Sequence, residues 1–249
     1  MWLLLHGFTG APESWRHVAE AASSDRPRLT PALTGHGADW QRTAVDSFEG
    51  EVMRLASVVA ETERPRLLCG YSMGSRVALG LLVSRPDLFD AAVLIGMHPG
   101  LPDEAARAAR RDLDAGRVRQ LRQEGLPAFV SAWEELPLFA TQRHLPDEAW
   151  EVQRATRLGH DSEGLAWSLE VLGLAEMPDY GPAIASVDVP VTLMTGSLDR
   201  KFSEIASALA ELNPQVDAEV VEGVGHNVLL EAPRAVASTM KRVEDRARV

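Results

Sequence analysis

Gly70-Tyr71-Ser72-Met73-Gly74 stands between the apolar run Arg66-Leu67-Leu68-Cys69 and the helix-like stretch Ser75-Arg76-Val77-Ala78-Leu79-Gly80-Leu81-Leu82-Val83. A Gly-x-Ser-x-Gly pentapeptide at a strand-to-helix turn is a nucleophile elbow, whose two glycines let a strained turn lift the serine hydroxyl clear of both elements. Alone, the pentapeptide fits a plain turn equally well. A strand pattern before it and a helix pattern after it give it force.

Toward the N-terminus, Trp2 to Leu5 reads as a buried parallel strand ending in His6-Gly7-Phe8-Thr9-Gly10. A strand closed by His-Gly-Phe, followed later by an elbow, resembles the α/β-hydrolases. There the loop after this strand gives one oxyanion-hole N–H and the residue after the nucleophile gives the other, so Phe8 and Met73 are the expected donors. No strand fits before Trp2, so no N-terminal hairpin is expected. Pro12 to Ala22 has a helical pattern with Trp15, Val18 and Ala19 on one face, and Arg28-Leu29-Thr30 is a short strand. The glycine-punctuated loop Pro31 to Gly37 follows, in which His36 reads as a histidine tied to the backbone. From Ala44 to Glu63, helical spacing puts Val45, Phe48, Val52, Leu55, Val58 and Val59 on one apolar face.

Toward the C-terminus, Ala91 to Gly96 is another buried strand, closed by Met97-His98-Pro99-Gly100, with His98 read as structural or lining. Between Leu101 and about Val187 the pattern turns to helices, Asp103 to Glu124, Pro127 to Glu135, Asp147 to Arg157 and Glu163 to Gly173. Trp133, Trp167, Leu136, Leu138 and Phe139 in this stretch would line a cavity or hold it to the core. Strands resume at Val189 to Thr195 and Ala218 to Val221, with helices at Ser203 to Leu212 and Pro233 to Arg246. Asp199 lies on the loop beyond one strand and His226 in the glycine loop beyond the other. The expectation is one α/β-hydrolase domain over 1–249: a mostly parallel sheet flanked by helices, with a helical cap insertion at about 101–187.

Composition sets the bounds. At 249 residues, with 45% hydrophobic and 24% charged residues, the chain can bury one large core. A net charge of −11 argues against a nucleic-acid partner, although a local basic site can sit inside an acidic protein. The lone Cys69 lies in an apolar strand, reads as a core residue and excludes an intrachain disulfide. No stretch reaches the ~18 apolar residues of a membrane span, and Met1 to Leu5 is too short for a signal h-region. A cytoplasmic location is expected.

Ser72, Asp199 and His226 run in the order nucleophile, acid, histidine, which is the α/β-hydrolase order. A serine hydroxyl needs a base; His226 would accept its proton while Asp199 fixes the imidazole tautomer and stabilises the imidazolium.

The chain further resembles the 2-succinyl-6-hydroxy-2,4-cyclohexadiene-1-carboxylate synthases of menaquinone biosynthesis. The resemblance rests on Leu4 to Gly10, Gly35-His36-Gly37, Gly70 to Ala78, His98-Pro99-Gly100-Leu101, Trp133 to Phe139, Glu163 to Ala166 and Asp199 to Phe202. It implies a lyase in which serine, activated by histidine, abstracts a proton and pyruvate leaves, with no metal and no organic cofactor. A small substrate with several carboxylates needs cations, and arginine's planar fork suits them. Arg76, four residues after the serine, can aim into the site. By the family pattern Arg110 and Arg157 join it, with Arg154 a neighbouring alternative to Arg157, and Tyr71 and Trp133 line the pocket. The chain departs from the family at Ser75, Thr34 and the segment after Leu174. The same residues would serve a serine hydrolase acting on an ester, a thioester or a carbon–carbon bond, the alternative reading.

Overall fold

The computed structural model describes residues 1–22 and 24–247. Among these residues six strands form one sheet: β1 (Trp2–Leu5), β2 (Arg28–Leu29), β3 (Leu67–Tyr71), β4 (Ala91–Ile95), β5 (Val191–Gly196) and β6 (Val216–Val221). Every neighbouring pair is parallel and the spatial order is β2-β1-β3-β4-β5-β6. Parallel strands need crossovers, and helices supply them, so both faces of the sheet are covered.

Side chains alternate between those faces. Leu3, Leu5, Leu68, Ala92, Leu94 and Leu193 pack on one side against α2 (Phe48–Ala60), α3 (Met73–Ser84) and α8 (Arg200–Ala210). Trp2, Leu4, Leu67, Cys69, Val93 and Ile95 pack on the other against α1 (Arg16–Ala21), α9 (Val228–Glu231) and α10 (Pro233–Arg246). Each fully buried Leu, Val or Ile contributes about 1.5–3 kcal/mol, so the central strands anchor the fold. Cys69 is buried among them, and burial pushes its thiol pKa well up. The edges differ. β2 is two residues long, and β6 is partly exposed, its Asp217 and Glu219 paired with Arg246 and Arg242 of α10.

Between β4 and β5 lie α4 (Glu104–Gln123), α5 (Gly125–Glu134), α6 (Asp147–Leu158) and α7 (Ser162–Leu172). This helical layer has its own core of Val118, Leu121, Phe129, Val130, Leu165 and Leu169. It is seated tightly: a Cβ on Gly35 would come 2.2 Å from the Gly164 carbonyl oxygen, and Arg76 of α3 donates to the Leu172 carbonyl at 2.8 Å. Trp167 packs rather than lines, its indole N–H donating to the Val45 carbonyl at 2.9 Å.

Local details shift some boundaries. The second helix starts at Phe48, not Ala44, because Ser47 caps it by accepting from the Gly50 N–H at 3.1 Å. Val58, expected on the apolar face, is 43% exposed; it adjoins Val59, and neighbouring helical residues lie about 100° apart, which turns it outward. β5 begins at Val191, after Pro190, which has no N–H for the ladder. α8 begins at Arg200, directly after Asp199. No described helix is long and apolar enough to cross a membrane.

Candidate active site

The elbow joins β3 to α3 with Ser72 at φ 52° and ψ −109°. Strain therefore sits on the serine itself, and the glycines serve close approach. A Cβ on Gly70 would lie 2.5 Å from the Gly74 oxygen, and one on Gly74 2.3 Å from the Leu5 oxygen. The turn is tied down by Ser72 N–H donating to Ile95 O at 2.8 Å and by Ser75 N–H and Arg76 N–H donating to Ser72 O at 3.1 and 3.2 Å. Met73 opens α3, where backbone N–H groups have no partner within the helix.

The loops after β5 and β6 converge on that serine. His226 Nε2 is 3.0 Å from Ser72 Oγ, and His226 Nδ1 is 2.6 Å from Asp199 Oδ2. With Nδ1–H donating to the carboxylate, Nε2 is left to accept the serine proton. The Asp199 loop is fixed by Leu198 N–H donating to Val224 O at 2.9 Å and Asp199 N–H to Gly196 O at 3.0 Å. The imidazole lies between Phe202 and Tyr71, with ring centroids at 4.6 and 5.5 Å. Burial pushes the Tyr71 phenol pKa far up, so it stays protonated.

Three further histidines brace the loop after β1. His6 Nδ1–H donates to Gly7 O at 2.9 Å and its Nε2 accepts from Leu33 N–H at 3.2 Å. His36 Nδ1–H donates to Thr34 O at 3.1 Å and its Nε2 accepts from Thr9 N–H at 3.3 Å. His160, between α6 and α7, accepts at Nδ1 from Gly37 N–H at 2.9 Å and donates from Nε2 to Thr9 O at 3.2 Å. Each ring both donates and accepts, which requires the neutral form. Burial pulls His6 down to about 4, His36 well below its ordinary value, and His160 down as well.

Above Ser72, between the strand ends and the helical layer, is a cavity of about 360 Å³. Phe8, Trp133, Leu136, Leu138 and Phe139 give it apolar wall, Phe8 meeting Trp133 edge-on at 5.2 Å. Among the described residues five arginines also line it: Arg16, Arg76, Arg110, Arg117 and Arg157. Arg76 is 7% exposed, and among the described residues its hydrogen-bond partners are the Leu172 carbonyl and, at 3.9 Å, the Met177 sulfur. Burial, and then the charge of Arg110, lowers its pKa to about 9. Arg110 and Arg117 share the buried carboxylate of Asp114 at 2.7 and 2.8 Å, and the Arg117 guanidinium lies 4.9 Å over Trp133. Arg157 donates to Glu134 Oε1 at 2.9 Å, whereas Arg154 pairs with Glu134 from the outer side and does not line the cavity. His98 also lines it; Nδ1 accepts from Gly100 N–H at 3.3 Å, and burial lowers its pKa to about 4.

Of the sequence-derived residues, Ser72, His226, Phe8, Met73, Tyr71, Arg76, Arg110, Trp133 and Arg157 line one cavity and Asp199 lies behind His226, whereas Arg154 and Trp167 do not line it. Arg117 and Gln153 line it too and were not expected. Nothing in an arginine-rich helix singles out Arg117. Among the described residues no group of three or more His, Cys, Asp or Glu side chains is arranged to hold a metal ion.

The sequence pattern of the Alpha/beta hydrolase family matches residues 2–239. A protein of Enterobacter sp. (strain 638) named 2-succinyl-6-hydroxy-2,4-cyclohexadiene-1-carboxylate synthase is 33% identical over 97% of this chain and 91% of its own. The protein of that name from Klebsiella pneumoniae (strain 342) is 32% identical over 97% and 93%. The solved structure of MenH from S. aureus superposes with a TM-score of 0.93 at 28% identity, covering 100% of this chain and 94% of that one.

Proposed function

The chain belongs to the alpha/beta hydrolase family and, within it, to the 2-succinyl-6-hydroxy-2,4-cyclohexadiene-1-carboxylate synthases, and from that membership we propose that it eliminates pyruvate from 2-succinyl-5-enolpyruvyl-6-hydroxy-3-cyclohexene-1-carboxylate in menaquinone biosynthesis. It is an enzyme, and its reaction is that of a lyase. The reaction removes a proton from the ring carbon bearing the succinyl group. The freed electron pair makes a new ring double bond, the existing one shifts by one position, and the carbon–oxygen bond to enolpyruvate breaks. Enolpyruvate leaves with that pair, takes a proton and becomes pyruvate.

Ser72 and His226 act together as the base, the serine proton passing to Nε2 as Ser72 Oγ takes the substrate proton; Asp199 stabilises the imidazolium. Negative charge then develops on the succinyl ketone oxygen. The N–H groups of Phe8 and Met73 receive it, a contribution of ~3–4 kcal/mol per donor in measured systems. Tyr71 and Trp133 line the pocket, and Arg76, Arg110 and Arg157 bind the carboxylates. Carboxylate binding is what this acidic chain keeps its buried cations for, and the reaction takes place in the cytoplasm.

The observation that carries the reading is Arg76. Among the described residues this guanidinium, buried beside the nucleophile, has a carbonyl and a thioether as hydrogen-bond partners and no carboxylate in contact, since the nearby Asp114 is held by Arg110 and Arg117. A carboxylate-bearing substrate supplies it. The test is pyruvate release above the spontaneous rate by wild type and Ser72→Ala, with short p-nitrophenyl esters in parallel. Rapid, Ser72-dependent pyruvate release with slow ester cleavage supports the synthase. Ester turnover without pyruvate release would make it a serine hydrolase.

A further inference from the structure

Among the described residues only two other than glycine have a positive φ in the left-handed range, Ser72 at 52° and Thr9 at 61°. Ser72 is explained by the elbow. Thr9 is the third residue of a turn closed by Gly10 N–H donating to Gly7 O, a place that calls for positive φ; threonine is β-branched and avoids it, and stays only if its surroundings hold it. Gly10 N–H shares a peptide plane with the Thr9 carbonyl, and the Gly7 carbonyl it donates to at 2.9 Å shares one with the Phe8 N–H, so the turn from Gly7 to Gly10 fixes where the Phe8 N–H points.

Two imidazoles hold the Thr9 backbone, one at its N–H and one at its carbonyl. His36 accepts its N–H, and His160 donates to its carbonyl. His36 comes from the loop after β2, and its ring meets that of His160 edge-on at 5.3 Å. His160 comes from the helical layer, three residues beyond Arg157, and is anchored by the Gly37 N–H at 2.9 Å. Asp161 secures the same turn, capping α7 by accepting from Gly164 N–H at 2.9 Å and accepting from the Trp40 indole at 3.1 Å.

We propose that His160 is a positioning residue which, by holding the Thr9 carbonyl, keeps the Phe8 N–H aimed at the developing oxyanion and so makes the oxyanion hole depend on the seating of the helical layer. This deepens the synthase reading and rests on it. His160 itself does not touch substrate; its effect appears in the chemical step. The last turn of α6 and the turn that follows it thus serve both ends of the substrate, Arg157 at the carboxylate and His160, through the Phe8 N–H, at the ketone oxygen.

The experiment compares His160→Ala, His160→Gln and His160→Ala/Thr9→Gly with wild type for kcat and KM of pyruvate release. Thermal melting verifies folding, and labelling of Ser72 by a fluorophosphonate reports the oxyanion hole without reference to substrate identity. His160→Ala is expected to lower kcat and the labelling rate roughly 10- to 100-fold, with KM changed less than about 3-fold; loss of one whole oxyanion donor costs ~10²–10³. Glutamine can accept from Gly37 N–H and donate to Thr9 O, so His160→Gln recovers most of the loss. Glycine adopts positive φ unaided, so adding Thr9→Gly to His160→Ala recovers part of it. Should His160→Ala fail to fold, His160→Gln against its own Thr9→Gly double variant carries the comparison. A folded His160→Ala enzyme with wild-type kcat and labelling, or a loss confined to KM, overturns the proposal. Pyruvate release absent from wild type, with labelling still governed by His160, would remove the synthase reading and leave the positioning role.

Discussion

The imidazole of His226 rests on the bare Cα of Gly96: a Cβ there would lie 2.8 Å from His226 Cε1, and Gly96 has φ +58°. Gly96 directly follows β4, one of the two central strands, so the sheet sets the height of the ring above Ser72. Gly96→Ala should push the ring off the line between Ser72 and Asp199. Misplacement by about 1 Å costs ~10²-fold, and kcat should fall by at least that much. Steady-state pyruvate release and fluorophosphonate labelling measure it; an unchanged kcat refutes the packing argument.

Arg76→Met should separate binding from stability. The variant removes a buried cation that lacks a carboxylate partner and keeps most of the volume, so melting should hold or rise by a few degrees. Substrate loses a charge-assisted contact worth ~1.5–3 kcal/mol, so KM should rise roughly 10- to 100-fold. A variant that melts early with unchanged KM would mean Arg76 is a structural cation.

Asp114→Asn should act the other way. The Asp114 carboxylate neutralises Arg110 and Arg117 together, and its loss leaves these guanidinium groups, with Arg76, facing one another. Both partner arginines are partly exposed, so the cost is about 2–3 kcal/mol, below that of a fully buried pair. Urea denaturation reads it. A dicarboxylate at millimolar concentration should restore more stability to the variant than to wild type.

Acid should unfold the protein earlier than its carboxylates require. His6 titrates at about 4 when folded against 6.5 as a free group, because burial opposes its charge. Above pH 6.5 both states are neutral and the stability is complete. As the pH falls from 6.5 toward 4, the unfolded chain binds a proton that the folded chain refuses, and about 3 kcal/mol is lost from His6. His36 adds in the same direction. Urea midpoints between pH 7 and 4 should fall accordingly, with a shallower fall in His6→Asn.

What the sequence reveals depends on how local the signal is. Ser72, Asp199 and His226 each follow a predicted strand and sit among glycines or other turn residues, so their place at one end of a parallel sheet is readable from the chain. The arginines are harder. Arg154 and Arg157 are three residues apart on one helix and both reach Glu134, one from outside and one from the cavity. Only the docking of α6 against the strand ends separates them. Arg117 is hidden among arginines of α4, and His160 gives no sign, being one histidine in a short turn whose partners lie more than a hundred residues away. Helix starts slip where a cap is missed, as at Ser47, and periodicity overreaches where two adjacent valines straddle the edge of an apolar stripe.

One consequence of the sheet's margins concerns other copies of the chain. A parallel sheet invites extension wherever an edge strand offers a free row of N–H and carbonyl groups. Here β2 gives a template of two residues, too short to recruit a stranger, and β6 shows any approaching strand alternating charges held in place by α10. The chain is built to resist stacking into fibres through its sheet, so the sheet's edges are guarded while its centre holds the chemistry.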